Sequence, residues 1–458
     1  MQTNRDLFEK TPVPKALAAL AIPTIISQLI SMIYNLADTV FIGMTNDPSK
    51  IAASSVAFVL VFMMNCLTNL FGVGGGSLIS RLLGEKKDSE AKSVASFSFW
   101  GTFAISAVYA LLVLAFMDGF LYFLGATDGS IGYARDYALY VVVIGSVPST
   151  LGMTMSHLLR SEGYAKHASI GLGAGGVLNI LLDPLFMFVI LEEGNEVAGA
   201  AIATLISNVI VLVYFLVIYH LIRKKTVLSV DPRIMIPKKH YISSIFAVGF
   251  PSALGAFLAC LSSIMINNLA SSYSDLYGDI PVAAIGIAKK IDMLPMNVGM
   301  GLCQGMMPLV AYNYSAGNYK RMKSFSNWAR GIGIAFAAVC ILVFELLTEP
   351  IVRIFVNEAE TVNMTVRFLR IMCLAVPLMI TNFQLSFTFQ AMGKGKESLI
   401  LASLRQGVVN IPLLFLMNHL FMLDGIVWTQ LVSDAITTVI SFAVYHHTYK
   451  KLAANGNS

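Results

Sequence analysis

Charge is scarce in this chain: only 12% of its 458 residues are Asp, Glu, Lys or Arg, about half the share of an ordinary soluble domain. Cysteine is scarce as well. Cys66, Cys260, Cys303, Cys340 and Cys373 stand singly inside apolar stretches, without CxxC or CxxH spacing, so neither a zinc site nor a disulfide framework is indicated and they read as packing residues. No GKS or GKT follows the glycine run Gly72, Gly74, Gly75 and Gly76, which lies within a hydrophobic segment, so close helix packing replaces a phosphate loop as its reading. No Ser/His/Asp or metal-hydrolase constellation is present, and an enzyme is not expected. Basic blocks suited to nucleic acid are also missing, because the net charge of +5 is scattered over short loops.

What abounds is hydrocarbon. Hydrophobic residues make up 56% of the chain, and the mean hydropathy is +0.72. Several apolar runs reach the roughly 20 residues that carry a helix across a bilayer, and they are far too long for barrel strands. An all-α integral membrane protein is expected. The run from Ala16 to Met44 follows Arg5, Lys10 and Lys15 but exceeds a signal-peptide core and lacks a small-residue cleavage site, so it reads as a retained first span.

Dividing the chain at polar breaks places twelve spans near 16–44, 51–79, 93–117, 131–157, 168–191, 197–222, 242–272, 281–311, 326–348, 363–391, 398–418 and 424–447. Alternate loops are basic, as at Arg81, Lys86, Lys87 and Lys92, at Arg223, Lys224 and Lys225, and at Lys320, Arg321 and Lys323. The intervening loops carry acids such as Asp118, Asp128, Glu192, Glu193 and Glu358, with Lys50 and Arg353 as the main exceptions. The positive-inside rule then puts the basic loops and both termini in the cytoplasm of a cell-membrane protein.

Landmarks recur about half a chain apart: Pro23 with Pro251, Pro148 with Pro377, Gly163 with Gly393, and Asn179 with Asn410. Gly84-Glu-Lys-Lys is likewise echoed by Gly317-Asn-Tyr-Lys. Two parallel, pseudo-symmetric six-helix lobes follow, because each half has an even number of spans. The expected division is an N-lobe over residues 1–225, a cytoplasmic linker over 226–241 and a C-lobe with a short tail over 242–458.

Ionisable groups inside the hydrocarbon are functional candidates, since each costs several kcal/mol unless paired or hydrated. Asp38 falls in the first span and Asp183 in the fifth. Asn179 shares a helix face with Asp183, and Tyr34 with Asp38, by i, i+4 spacing. Counting from the outer ends, Asp38, Asp183 and Thr204 all lie roughly 9–12 Å deep. Two carboxylates with amide and hydroxyl oxygens suit a hard cation, and two neighbouring carboxylates equally suit uptake of a proton. The alternative is that the acids separately satisfy backbone groups near Pro184 and the outer loops, with Asn179 and Thr204 as interhelical glue. Asp292, preceded by Lys289 and Lys290, reads as a salt-bridged helix end rather than a substrate site, while Asp434 stays open between the two roles. His157, Arg160 and Glu162 sit at a helix end, where snorkelling is expected. Met63, Met153, Met293, Met296 and Met300, with Tyr34, are candidates to line an adaptable apolar cavity.

The segments Ile33-Tyr-Asn-Leu-Ala-Asp-Thr-Val-Phe-Ile-Gly, Leu70-Phe-Gly-Val-Gly-Gly-Gly-Ser, Leu178-Asn-Ile-Leu-Leu-Asp-Pro, Gly199-Ala-Ala-Ile-Ala-Thr and Gly301-Leu-Cys-Gln-Gly-Met-Met-Pro resemble those of the multidrug and toxic compound extrusion (MATE) antiporters, with the MepA-like and DinF-like branches most similar. The resemblance spans nearly the whole chain. It implies a monomer in lipid that exports cationic or amphipathic drugs in exchange for Na+ or H+, without a covalent cofactor. It further implies a cation-coupling or sodium site at Asp38, Asn179, Asp183 and Thr204. Where NorM-like relatives place acids in helices 7 and 10, this chain has Ser262, Asn267, Asn268, Gln384 and Gln390. A lipid-linked glycan flippase of the same broad superfamily is the rival reading, against which twelve spans and few inward cations count.

Overall fold

The computed structural model describes residues 2–45, 47–235 and 237–455, and every regular element among them is helical. Twelve long segments run back and forth. In the first half they are α1 (Val13–Gly43), α2 (Pro48–Gly84), α3 (Asp88–Ala115), α4 (Ile131–Ile144 with Ser146–Ser161), α5 (Ala165–Ile190) and α6 (Glu196–Ile222). In the second half they are α7 (Lys239–Ser271), α8 (Ile280–Ser315), α9 (Tyr319–Arg353), α10 (Ala359–Cys373 with Val376–Ala391), α11 (395–421) and α12 (423–455). Eight stretches are apolar and long enough to span a membrane outright, and the two bent pairs bring the number to ten. The last of the eight is one 56-residue stretch that breaks at Met422, where φ is +53°, and so supplies both α11 and α12. The remaining segment, α8, has 36 residues, or about 54 Å of helix; Lys289, Lys290 and Asp292 lower its hydropathy. The helices overrun the expected spans by several residues at many ends, because amphipathic turns continue beyond the hydrocarbon.

The repeat is visible in the backbone. α4 bends by 50° around Gly145 and α10 by 44° around Leu374 and Ala375, which stand 229 and 230 positions on. Gly163 and Gly393, which follow these helices, both have positive φ, at +90° and +70°. Lys86 (φ +61°) and Gly317 (φ +74°) do the same after α2 and α8, so the structural register sets Lys86, not Gly84, opposite Gly317.

Two six-helix lobes, α1–α6 and α7–α12, meet along α1 against α8 and α2 against α7, the pairing that a pseudo-two-fold demands. Absent side chains allow the contact. A Cβ on Gly249 would lie 1.9 Å from the Leu70 carbonyl oxygen, and one on Gly305 would lie 2.5 Å from the Ala21 Cα. These contacts belong to the half of the molecule that carries the chain termini. There a single buried core runs through both lobes, joining Leu17, Leu20, Phe71 and Val73 to Ile245, Val248, Leu302 and Met306. In the opposite half the core divides, with Ala53, Leu60 and Leu121 in one lobe and Ala284, Phe344 and Leu423 in the other.

Polar residues on the four interface helices agree with that division. Asn35, Thr39, Ser55, Ser263, Asn267 and Lys290 are exposed on the far halves of α1, α2, α7 and α8, positions that lipid would penalise and an aqueous cleft accommodates. The molecule is closed on the terminal side and parted on the other. The N-terminal helix Gln2–Glu9 straps the closed side: Arg5 pairs with Asp88 at 2.6 Å, Phe8 stacks on Tyr312, and Arg321 donates to the carbonyls of Phe8 and Thr11.

Candidate functional site

Close approach of α5 to both its neighbours builds the N-lobe site. A Cβ on Gly176 would meet Ile30 at 2.9 Å and Tyr34 at 3.1 Å, and one on Gly173 would meet Ile30 at 3.0 Å. The opposite edge of α5 does the same toward α6, where a Cβ on Gly175 would lie 2.2 Å from Val211. Glycine therefore sets both helix spacings, and the polar residues one or two turns further on are brought to a common level.

There, the Asn179 amide donates to Asp183 Oδ1 at 3.0 Å and reaches Thr204 Oγ1 at 3.3 Å. Asn179 is 4% exposed and Asp183 fully buried, whereas Asp38 and Thr204 are half-buried. The charges of Asp38 and Asp183 act on one another, and both act on Tyr34 and Tyr137. Three acceptor oxygens are left without a donor: Asp38 Oδ1, Asn179 Oδ1 and Asp183 Oδ2. An orphaned buried acceptor costs about 1–3 kcal/mol, so three in one place suit a bound cation or proton. Among the described residues no group of three or more His, Cys, Asp or Glu side chains forms a metal cluster; the donor set here is two carboxylates, an amide and a hydroxyl. Tyr137, 8% exposed, is a neighbour that the sequence did not flag. It stands on α4 immediately before a π-helical stretch over Ala138–Ile144.

The C-lobe counterpart lacks the acids. Applying the repeat separations to Tyr34, Asp38, Asn179 and Asp183 leads to Ser262, Ile266, Asn410 and Leu414, and Ser262 donates to Asn410 at 2.8 Å. Gly199 with Gly425 and Ser207 with Ser433, both 226 apart, set Gln430 opposite Thr204, and the neighbouring Asp434 has a fully buried carboxylate saturated by Arg405 at 2.7 Å, Gln430 at 2.7 Å and Asn382 at 3.2 Å. Asp434 is thus a structural ion-pair partner. Gln384 is engaged likewise, donating to Ser326 and Thr388 and accepting from Arg330.

Two other expectations change. Asp292 forms no ion pair with Lys289 or Lys290 among the described residues; Lys289 donates to Ser263 instead, and Asp292 Oδ1 is buried without a partner. Arg160 does not snorkel but is 5% exposed, because the lobe seam closes over it. Met63, Met153 and Met293 are half-buried on α2, α4 and α8. Met296 packs on Ala337, Met379 and Ile380, and Met300 on the common core.

Known proteins supply the remaining comparison. "Multidrug export protein MepA" of Staphylococcus aureus (strain MSSA476) is 33% identical over 440 residues, 96% of this chain and 95% of that protein. The protein of the same name from Staphylococcus saprophyticus is 32% identical over 439 residues, with equal coverage. Two solved structures share the fold at 23% identity and 98% coverage of both chains. One, an outward-facing conformation of a multidrug resistance MATE family transporter, superposes with a TM-score of 0.90. The other, a MOP superfamily transporter from Pyrococcus furiosus, does so with 0.89. The MatE family profile matches residues 23–185 and 251–416, one segment in each lobe, and this multi-pass membrane chain belongs to the MatE family.

Proposed function

We propose that this protein is a secondary active exporter of cationic or amphipathic organic compounds, driven by inward movement of Na+ or H+ through Asp38, Asn179, Asp183 and Thr204. The observation that carries the proposal is the trio of partnerless acceptor oxygens on Asp38, Asn179 and Asp183 beside Thr204. Membership of a transporter family and similarity to proteins called multidrug export proteins support the direction and the cargo. They do not favour a flippase.

The working units are an N-lobe over 1–225, a linker over 226–241 and a C-lobe over 242–458. The alternation of basic and acidic loops supports a cell-membrane protein with both termini cytoplasmic. Its two outward exceptions are neutralised, Lys50 by Glu196 at 2.7 Å and Arg353 by Glu349 at 2.8 Å. The parted side then faces outward, and the acids open toward the compartment from which the coupling ion enters. A cation moves the lobes only by binding one arrangement better than the other. Substrate occupies the cleft between the lobes, lined by Tyr34, Met63, Met153, Met293, Met296 and Met300, and the protein works as a monomer in lipid without a covalent cofactor.

Proteoliposomes test this reading. A cationic dye is loaded, and sodium and pH gradients are imposed separately. Export that follows one gradient is the expected result; equal dye flux with neither gradient present would mark a passive pore and overturn the proposal.

A further inference from the structure

A second polar site lies away from the acids, at the closed seam. A cavity of about 30 Å³ is lined from the N-lobe by Gly72, Gly76, His157 and Arg160, and from the C-lobe by Gln304 and Phe387. Arg160 is 5% exposed, donates from Nη1 to Gln304 Oε1 at 3.0 Å, and has a buried Nε with no partner. Among the described residues no carboxylate lies within ion-pair distance of it. Glu162, two positions on, turns to the linker, where its Oε2 accepts from the Thr226 hydroxyl at 2.6 Å and the Val227 N–H at 3.2 Å.

A guanidinium does not shed its proton in a protein, and a buried charge without a counter-charge is strongly unfavourable. The cavity has about twice the space that one water needs, enough for a monatomic anion and too little for a lipid headgroup. We infer that a chloride-sized inorganic anion binds beside Arg160 and holds the two lobes together on the terminal side. Both lobes contribute walls, so the site exists only while the seam is shut. Binding therefore favours the outward-parted arrangement, since a ligand stabilises the state for which it has the higher affinity. This role is separate from the cation site and involves none of its residues.

The test uses the full-length protein in detergent at fixed sodium, pH and ionic strength, with chloride or bromide exchanged for gluconate. Wild type should show a saturable rise of a few degrees in its melting temperature with either halide, and crystals grown in bromide should show an anomalous peak beside Arg160. Two variants separate the anion from a general salt effect. Arg160→Gln removes the charge, and Gln304→Glu supplies a permanent carboxylate in the anion's stead; both should lose the halide response, the second while melting at or above the halide-bound wild type. Equal stability of wild type in chloride and gluconate would mean that the cavity holds water alone and would overturn the inference. A halide response retained by both variants would overturn it too.

Discussion

Replacing Asp183 by Asn changes one charge and almost nothing else. The amide oxygen of the new side chain can still accept the 3.0 Å hydrogen bond from Asn179, so helix packing around Gly173 and Gly176 is kept. What goes is a charge-assisted contact to the coupling ion, worth about 1.5–3 kcal/mol. At 1.4 kcal/mol per factor of ten, cation affinity should fall about 10- to 150-fold. Switching a two-state equilibrium from 1:99 to 99:1 takes about 5.5 kcal/mol of differential binding, so a loss of this size removes a large part of the coupling energy. Dye export from vesicles under a sodium or pH gradient should collapse, while expression and elution volume match wild type. Asp38→Asn should do the same, and the double variant should be little worse than either single one, because the two carboxylates serve one ion. If Asp183→Asn exports dye at the wild-type rate with the wild-type ion dependence, the assignment of the site is wrong.

Geometry around the site can be tested without touching its polar atoms. Gly176→Val should wedge α1 from α5, lower stability by about 1–3 kcal/mol and weaken ion-dependent protection, whereas Gly43→Ala, which meets nothing within 4 Å, should leave both the melting curve and transport unchanged. Asp434→Asn should be a stability variant: it strands buried Arg405, at about 3–5 kcal/mol, and a replacement of both partners by apolar residues should recover much of the melting temperature. Glu162 predicts a pH effect at the loop between α4 and α5. Burial raises its carboxyl from 4.5 to about 7, against the opposing hydrogen bonds from Thr226, Val227 and Leu228. The folded state therefore holds the proton more tightly than the unfolded one, and stability falls as pH rises from about 4.5 to 7, by up to roughly 3 kcal/mol. Glu162→Gln should flatten the melting temperature across that window; an unchanged pH profile would show that Glu162 does not govern it.

Much of this is legible in the sequence alone. Scarce charge, long apolar runs and alternating loop charges lead to twelve helical spans, because backbone polar groups in lipid have no partner outside a helix or a barrel. Separations of 228–231 between Pro23 and Pro251 or Asn179 and Asn410 lead to two lobes in parallel. The i, i+4 spacing of Asn179 and Asp183 already puts them on one face, since it follows from helical pitch alone. Depth on α1, α5 and α6 could be counted from 1.5 Å of rise per residue.

The tertiary structure decided what counting along a helix cannot reach. Rotation and spacing of neighbouring helices come from packing, so the glycine contacts of α5 brought Asn179 to Thr204, and α4 added Tyr137, a residue with no local signal. Pairing is a matter of three dimensions, and so Asp434 went to Arg405, Lys289 to Ser263, and Arg160 into the seam instead of the headgroups. Which side of the molecule is shut was also decided there, because the same sequence packs its lobes together at one end only at the expense of parting them at the other.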